Sequence, residues 1–559
     1  MNQLYGIQIS RKNVEQEGLR IDGAIPVEIP SSAYGAVPQV KVSAHPEGAL
    51  QISFSKIHVA WVYVWGKPAH ARISQLEIPE WCARVVANEN YTYFQELLGT
   101  FVILIDEPQK KRLTIISDIL GVRPLFLGKI NGRLVFGSKV WPLYKAGIVS
   151  GEIDYDAVSA WISFGFNCSS GSLFTELKRI PPGTVVVIEH DQWKEIAYVQ
   201  FEVDTFRPPI ERIADELHEM VSSALGVLLA HVPQATLALS GGYDSRYLLG
   251  LALALSKTDV RCVTVKNSLE EGITAQQVAT TLKVPLEIIA GKDSLWDIYE
   301  EPHHFTADGF PITKFVTHLL AQRYPNVPML NGYMGDSLIR GSKDTFLGKY
   351  EEEWKEDLVE VLFRKHLFVS FQIFRPEMAK RIEMRSRVPM EEAVRKGTQI
   401  GRVFSWADFY FRQRLYISNN FLQHIDFSEA ILPFYSWAIL SYKMRYDCHL
   451  FGSNVYEQIF KKHFPELGSI PRAGASAVSQ GSPTLKISRC AMAWARSLLT
   501  PLCNKKSLTL LNKKYCIPRS VAGMVGFQRY ESSIQNFYRL YLLEKEAREA
   551  GVNFDWGNI

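Results

Sequence analysis

The chain has 559 residues, of which 47% are hydrophobic and 21% charged, and its formal net charge is +4. This composition is typical of globular proteins and excludes disordered and collagen-like chains, while no apolar run approaches the ~18 residues that a transmembrane helix needs. The seven scattered cysteines form no CxxC pair, which argues against a disulfide framework or a zinc site. The opening residues lack the basic and apolar regions of a secretion signal, which predicts a cytoplasmic protein.

Residues 1–205 predict a strand-rich, two-layer domain. Short β-rich runs such as TFVILID, RLTIISD, RLVFGS and TVVVIEH are separated by Gly, Pro, Asp and Asn turn signals. With ~150 residues per domain as a guide, this region is the first of two or three domains.

Residues 206–470 predict a second domain, in which helices alternate with short apolar strands. The segment IERIADELHEMVSSALGVLLAHV has apolar residues at helical spacing and leads into the strand TLALS, and the strands VRCVTVKN and PLEIIAG follow with a helix between them. This alternation predicts an α/β fold with a doubly wound parallel sheet, followed by a helical, aromatic-rich part.

Residues 471–559 predict a basic, helical C-terminal extension. Between Leu467 and Tyr530 there are ten Lys and Arg residues and no Asp or Glu, so the rest of the chain carries 52 basic and 58 acidic residues. Two interpretations fit. The segment is a solvated or core-packed basic helix, or it contacts an anionic partner, which is either a membrane that an interfacial helix within residues 471–530 touches or a phosphorylated substrate. No nucleic-acid partner is expected.

The sequence SGGYDS directly follows the predicted strand TLALS. In an open parallel sheet, ligands bind at the carboxyl ends of the strands, where the next helix offers unpaired N–H groups. Its glycines let the backbone fold around a phosphate, its hydroxyls can donate to phosphate oxygens, and Asp244 can hold Mg²⁺. The pattern therefore predicts a pyrophosphate-binding loop and not a Walker loop, since GKS and GKT are absent.

A second loop, Asn331 to Ser337, follows the predicted strand VPMLNG and contains Asp336. One carboxylate holds Mg²⁺ weakly, so Asp244 and Asp336 from neighbouring strand ends are expected to share one Mg-pyrophosphate group.

With these motifs the chain resembles the glutamine-dependent asparagine synthetase family. The resemblance extends to LGTF, SDILGVRPLF, FGSK and IPPG in the first domain, and to EAILPF and VYEQIFKKHFPELGSIPR in the second. It implies an N-terminal αββα domain of the Ntn amidotransferase type, an ATP pyrophosphatase domain, and cleavage of ATP to AMP and pyrophosphate.

The resemblance also implies a set of ATP-binding residues. Leu239 and Val265 would flank the adenine, and Gly332 would contact the nucleotide. The residues implied to hold Mg-pyrophosphate are Ser240, Gly242, Asp244, Ser245 and Asp336, and Gly241 is a further implied ATP-binding residue.

Position 2 departs from the family. Family members that hydrolyse glutamine use an N-terminal Cys as the nucleophile, but Asn2 stands here and the first cysteine is Cys82. The sequence therefore predicts that glutaminase activity is lost and that the first domain is a structural partner of the second.

Tyr333 stands where asparagine synthetases carry Glu, which resembles the β-lactam synthetases, whose tyrosine acts with a glutamate. Tyr333 is thus a candidate catalytic residue, and a role in the wall of the site fits equally well. A phenol needs a carboxylate to take its proton. The candidate partners are Glu351, Glu352, Glu353, Glu356 and Glu360.

The family lysine that stabilises charge at the adenylated carboxyl is also absent. Gly474 stands at its position, two residues after Arg472. Lys462 and Lys486 are candidate substitutes.

The sequence therefore predicts an AMP-forming carbon–nitrogen ligase that uses ATP and Mg²⁺ to adenylate a carboxylate for attack by ammonia or an amine. Specialised candidates are amidation of a sugar acid in polysaccharide assembly and ring closure, as in β-lactam synthetases and lasso-peptide cyclases. Two alternatives stay open: conventional asparagine biosynthesis and a nucleotide-binding pseudoenzyme that serves as a scaffold.

Overall fold

The computed structural model describes residues 6–9, 25–27, 41–44, 53–57, 60–107, 110–189, 192–265, 269–289, 305–311, 316–341, 357–367, 371–400, 402–422, 428–472 and 531–559. Asn2, Gly474, Lys486 and the candidate glutamates 351–356 lie outside these residues, as does nearly all of the basic segment 471–530. Among the described helices, none combines the length and the apolar character that a membrane span requires.

Seventeen strands lie within this part of the chain. They are β1 (Gly6–Ile9), β2 (Ile25–Val27), β3 (Lys41–Ala44), β4 (Ser53–Ile57), β5 (Ala60–Gly66), β6 (Phe101–Glu107), β7 (Arg112–Ser117), β8 (Phe126–Ile130), β9 (Arg133–Gly137), β10 (Lys178–Arg179), β11 (Thr184–Glu189), β12 (Gln192–Ala197), β13 (Gln234–Ala238), β14 (Asp259–Val265), β15 (Leu286–Ile289), β16 (Met329–Leu330) and β17 (Ala430–Ile431).

The α-helices of the same residues are α1 (Ile78–Ala87), α2 (Val140–Lys145), α3 (Tyr155–Phe164), α4 (Ile210–Leu229), α5 (Tyr243–Leu255), α6 (Leu269–Thr281), α7 (Val316–Arg323), α8 (Leu358–His366), α9 (Pro376–Ile400), α10 (Val403–Ala407), α11 (Asn419–Leu422), α12 (Trp437–Arg445), α13 (Ser453–His463), α14 (Pro465–Gly468) and α15 (Glu531–Glu549). Two π-helical segments are Asp336–Arg340 and Asp408–Ile417, and short 3₁₀ turns are Tyr91–Glu96, Phe371–Ile373, Cys448–Leu450 and Trp556–Asn558.

The first region is a sandwich of two six-stranded antiparallel sheets. Their strand orders are β10-β8-β9-β1-β3-β2 and β12-β11-β7-β6-β5-β4. Helix α1 covers the outer face of the second sheet, while α2 and α3 cover the outer face of the first. The layers are therefore helix, sheet, sheet, helix.

Strand β6 shows why the sequence forms this sandwich. Phe101, Ile103 and Ile105 face the core that contains α1, while Val102 and Leu104 face the other sheet. Successive side chains of a strand point to opposite faces, so an uninterrupted apolar strand is the pattern of a sheet buried on both sides.

The second region contains a five-stranded parallel sheet with the order β15-β14-β13-β16-β17. The chain moves outward from β13 through β14 to β15, and then crosses to the other side of β13 to form β16 and β17. The strand order thus reverses between β13 and β16, which is where open α/β sheets place their ligands.

The two regions are joined by buried polar contacts. The Arg123 guanidinium donates to the Glu429 carboxylate over 2.8 Å, and the Arg123 side chain is fully buried. The Tyr435 hydroxyl donates to the Asp118 carboxylate. Because buried polar groups are costly when unpaired, these pairs tie the two regions into one unit.

Residues 531–559 return to the first region. Leu540, Leu543 and Trp556 are buried in the same core as Trp141 of α2 and Trp161 of α3. The predicted helical character is therefore found for residues 531–549, and this part of the predicted extension packs onto the sandwich.

The α/β class, the sandwich and the parallel sheet that the sequence predicts are confirmed. The domain boundaries 1–205, 206–470 and 471–559 stay predictions; β12 ends at Ala197 and α4 begins at Ile210. The predicted interfacial helix of the basic segment lies outside the described residues.

Candidate active site

Two loops meet at the point where the strand order of the parallel sheet reverses. Strands β13 and β16 are paired, with Leu237 opposite Leu330, so the loops that follow them leave the same edge of the sheet side by side. The first loop contains SGGYDS and the second contains Asn331 to Ser337. The structure therefore brings together the two motifs that the sequence predicts to cooperate.

The first loop closes on itself through its serines. The Ser245 hydroxyl accepts from the Ser240 backbone N–H over 3.1 Å and lies 3.0 Å from the Ser240 hydroxyl, which in turn accepts from the Gly242 N–H over 3.2 Å. Helix α5 starts at Tyr243, directly after this turn. The first N–H groups of a helix have no intrahelical partner and favour a bound anion, so the geometry of the loop and the start of α5 suits the predicted anion site.

The residues predicted to flank the adenine lie on adjacent strands. Leu239 is buried, and its backbone N–H donates to the Val263 carbonyl over 2.8 Å. Strand β14 ends at Val265, and the side chain of Val265 is outside the described part of the structure. Leu239 and the β14 backbone therefore line the sheet edge beside the SGGYDS loop.

Two glycines of the second loop contact Asp244 of the first. A Cβ atom on Gly335 would lie 2.7 Å from the Asp244 Oδ1 atom, and one on Gly332 would lie 3.0 Å from the Asp244 Cβ atom. Any side chain at Gly335 would therefore displace the Asp244 carboxylate. The glycines are needed for close approach of the loops, which gives Gly332 and Gly335 a physical role.

Asp244 and Asp336 form a mutually repelling pair. Burial, together with the nearby Asp336 charge, raises the pKa of Asp244 to about 7. The Tyr456 hydroxyl donates to Asp244 Oδ1, and the Asp336 carboxylate accepts from Arg340 over 3.1 Å. Two carboxylates that repel one another fit a divalent cation, since carboxylate oxygens are the ligands that Mg²⁺ prefers and the cation removes the repulsion.

Tyr333 lies in the protein core instead of on the surface of this site. Only 3% of the residue is exposed, and its hydroxyl donates to the Gln413 carbonyl over 2.8 Å. The ring contacts Phe421 and Tyr435, with centroid distances of 5.0 and 5.9 Å. Burial raises the pKa of Tyr333 well above its usual value. The structure thus places Tyr333 in the core packing beside the second loop, and its two roles considered from the sequence stay predictions.

Three further residues singled out from the sequence have other partners or surroundings. Glu360 accepts from Arg364 and Arg387, while Lys462 pairs with Asp215 over 2.7 Å. Cys82 is buried in α1, where burial raises the pKa of its thiol well above the ordinary range, so it is an unreactive core residue.

Two residues that the sequence reasoning did not select contact the SGGYDS loop. Tyr456 of α13 donates to Asp244, and the guanidinium of Arg246 is buried directly behind the loop. Tyr456 lies 212 positions after Asp244, so no local pattern could reveal its contact. Arg246 carried a signal, because it is an arginine directly followed by the nonpolar run Tyr247 to Leu255 of the same helix.

Comparison with known proteins finds that two family models match the chain. A family model described as asparagine synthase matches residues 214–504, and one described as a glutamine amidotransferase domain matches residues 82–199. Asparagine synthetase [glutamine-hydrolyzing] 1 of Bacillus subtilis (strain 168) is 26% identical over 171 residues, which are 29% of this chain and 26% of that protein. The match thus spans about a quarter of the relative's length.

Two solved structures are more distant. A glutamine phosphoribosylpyrophosphate amidotransferase from B. subtilis, complexed with ADP and GMP, is 13% identical at a TM-score of 0.21, covering 55% of this chain and 64% of that one. An allosteric regulatory enzyme of purine biosynthesis is also 13% identical at a TM-score of 0.21, with 56% and 64% covered. Superpositions this loose do not bear on the fold or on the site.

Proposed function

The chain belongs to the asparagine synthase family, and from this premise we propose that it is an ATP-dependent carbon–nitrogen ligase. A substrate carboxylate oxygen attacks the α-phosphorus of ATP and pyrophosphate leaves. The nitrogen of ammonia or an amine then attacks the acyl carbon, AMP leaves with the electron pair of the broken C–O bond, and the nitrogen loses a proton. Adenylation is needed because the oxygen of a free carboxylate is a poor leaving group.

The observation that carries this proposal is the Asp244–Asp336 pair between two adjacent strand ends. A loop with exposed amides and hydroxyls suits a polyphosphate, and two acids beside it suit the cation that accompanies that polyphosphate. Bound Mg²⁺ would neutralise the charge that develops on the departing pyrophosphate. Asp244 and Asp336 are the residues that would hold it, and the serine hydroxyls and loop amides would orient the phosphates.

The intact acid pair favours an enzyme over a nucleotide-binding scaffold. A metal-dependent reaction at a phosphate needs carboxylates beside the anion site, and both Asp244 and Asp336 are present there. Perturbed carboxylates in such a place are typical of functional sites.

The nitrogen source is proposed to be free ammonia or a substrate amine. Asn2 replaces the nucleophilic cysteine of the family, and Cys82 is buried, so neither residue can open glutamine. The acceptor is proposed to be a specialised carboxylate, such as a sugar acid or a peptide or lactam precursor, since Tyr333 and Gly474 both depart from the asparagine-forming pattern. Conventional asparagine synthesis is the second candidate.

ATP–pyrophosphate exchange with a panel of carboxylates tests the activity. Loss of a metal contact costs several kcal/mol, so Asp244→Asn and Asp336→Asn should each lower exchange by about 100-fold or more. Asp215→Asn, which removes an exposed acid paired with Lys462, is the matched control and should leave exchange unchanged. Exchange within a few-fold of the parent in either site variant would refute the proposed roles.

Glutamine supplied as the nitrogen donor tests the predicted loss of glutaminase. We expect no glutamate, whereas ammonium should support amide formation with the correct carboxylate. Glutamate release that scales with the enzyme and with AMP formation would mean that another nucleophile has been recruited.

A peripheral contact with an anionic membrane is proposed for residues 471–530 from their charge alone. Each basic residue near an anionic surface contributes ~1 kcal/mol, and salt weakens that attraction. The full-length protein should co-sediment with phosphatidylserine vesicles at low salt but not at high salt, and should not bind neutral phosphatidylcholine vesicles. Equal or absent binding in all four conditions would leave the segment as a solvated face of a cytoplasmic protein.

A further inference from the structure

Arg246 uses every donor of its guanidinium to join two segments. Its Nε–H donates to the Gly242 carbonyl over 3.1 Å, and one terminal amine donates to the Gly241 carbonyl over 3.1 Å. The remaining hydrogen bonds reach the carbonyls of Leu467 (3.2 Å), Ile470 (2.6 Å) and Pro471 (3.2 Å). An arginine side chain has five N–H donors, so none is left over.

These contacts fix the direction of the loop amides. A trans peptide plane holds its carbonyl and its N–H in opposite directions. When the carbonyls of Gly241 and Gly242 point at Arg246, the N–H groups of the same peptides, which belong to Gly242 and Tyr243, point away from it. On that side the Gly242 N–H meets the Ser240 hydroxyl over 3.2 Å, and the Tyr243 N–H, at the start of α5, faces the side of the loop on which an anion would lie.

The turn after α13 supplies the other wall of this arrangement. A Cβ atom on Gly250 would lie 3.1 Å from both Leu467 and Phe464, so α5 and this turn are in close contact. The Tyr243 ring lies 5.5 Å from the rings of Tyr456 and Phe460. Packed residues of α13 and of this turn thus cover the back of the loop, and Arg246 is a buried cation within that packing.

We propose that Arg246 is a positioning residue for the pyrophosphate-binding loop. Its planar fork holds the Gly241 and Gly242 carbonyls and so fixes the opposite N–H groups, one on the Ser240 hydroxyl and one, that of Tyr243, toward a polyphosphate, without touching the polyphosphate itself. This inference rests on the proposed function of the same loop and adds a residue to it. A lysine could keep the charge but not the geometry, because its ammonium is a single point with three donors.

Binding of Mg-ATP and of magnesium pyrophosphate to the full-length protein, measured by calorimetry, tests this role. Arg246→Met should weaken both affinities at least tenfold. Arg246→Lys should weaken them nearly as much, although the lysine keeps a positive charge behind the loop. Where exchange is measurable, the KM for ATP should rise while the KM for the carboxylate stays unchanged.

Arg539→Met is the matched control. Arg539 is also a buried arginine whose guanidinium donates to the backbone carbonyls of two segments, Gly165 and Pro311, but it lies in the other core. Thermal unfolding should show destabilisation in both methionine variants, with weaker Mg-ATP binding in Arg246→Met alone. Equal losses of affinity in the two variants would reduce Arg246 to a general structural role.

Three results would overturn the positioning role. They are Mg-ATP binding by Arg246→Met within twofold of the parent, full affinity in Arg246→Lys, and absence of polyphosphate binding by the parent. The lysine variant decides the question if the methionine variant does not fold. A parent that binds Mg-ATP but shows no exchange with any carboxylate would contradict the proposed ligase while leaving the binding comparison intact.

Discussion

The hydroxyl of Tyr435 donates to the carboxylate of Asp118, which lies 317 positions earlier in the chain. The same hydroxyl accepts from the Leu120 backbone N–H over 3.0 Å, so it bridges two points of one loop in the sandwich. The Tyr435 ring also contacts Tyr333, the residue three positions before Asp336. The amidotransferase-like region is therefore built directly against the back of the candidate active site.

The Arg123–Glu429 pair should hold the two regions together. Removing one partner leaves a buried charge alone, so Arg123→Met or Glu429→Gln should lower the free energy of unfolding by about 3 kcal/mol. Replacing both residues with apolar ones should cost less than either single change. Urea titrations followed by tryptophan fluorescence measure these differences, and equal, additive losses would contradict a direct interaction.

Tyr333→Phe should leave ATP–pyrophosphate exchange within a few-fold of the parent, because the hydroxyl donates to a backbone carbonyl in the core. The variant should lose about 1 kcal/mol of stability, the usual value of one buried hydrogen bond. Exchange kinetics and urea unfolding of the same preparation check both statements. A hundredfold loss of exchange at nearly unchanged stability would restore Tyr333 as a catalytic residue.

Asp244 should destabilise the metal-free protein near neutral pH. Its folded-state pKa of about 7 lies above the ordinary value, so the folded protein holds the proton more tightly and stability falls as the pH rises from about 4 to about 7. At pH 8 in EDTA, the free energy of unfolding of Asp244→Asn should therefore exceed that of the parent by about 1 kcal/mol in urea titrations. At pH 4 the two proteins should be equally stable. The same variant should fail to bind Mg-ATP.

His218 should weaken the protein in acid. Its ring stacks on His463 with centroids 3.6 Å apart, and its Nδ1 lies 3.0 Å from the Tyr247 hydroxyl. Burial, with the His463 and Lys462 charges opposing the nearby Asp215, lowers the pKa of His218 to about 4. Stability is then full above the unfolded pKa of ~6.5 and is lost as the pH falls from there toward 4.

Between pH 7.5 and pH 4.5, the His218→Gln variant should lose about 1 kcal/mol less unfolding free energy than the parent, as measured by urea titrations. His231 is exposed, so His231→Gln is the control for replacing a histidine that is not buried. If both variants follow the pH profile of the parent, the stacked pair does not set acid stability.

Local patterns revealed the elements of the fold and the two loops of the candidate site. Strand β6 was readable because its residues are apolar throughout, and the SGGYDS loop was readable because glycines and hydroxyls directly follow a buried strand. Arg246 escaped because arginine is normally expected on the surface, and its five carbonyl partners include three that lie more than 200 positions away.

Backbone conformation was equally hidden. Met334, between the two glycines that contact Asp244, has a φ of 69°, a left-handed value that a methionine rarely adopts. No sequence pattern predicts such a value for a non-glycine residue. It follows from the packing of the buried Met334 side chain and the close approach of the two loops.

The packing of residues 531–559 on the sandwich also sets an order of events during synthesis. The Tyr144 hydroxyl donates to the Ala550 carbonyl 406 positions later, so at ~5–20 residues per second the ribosome needs roughly 20–80 s to make the partner of this surface. During this interval Trp141 and Trp161 lack their apolar contacts with residues 531–559. The nascent sandwich therefore exposes part of this apolar surface to solvent until residues 531–559 have been made.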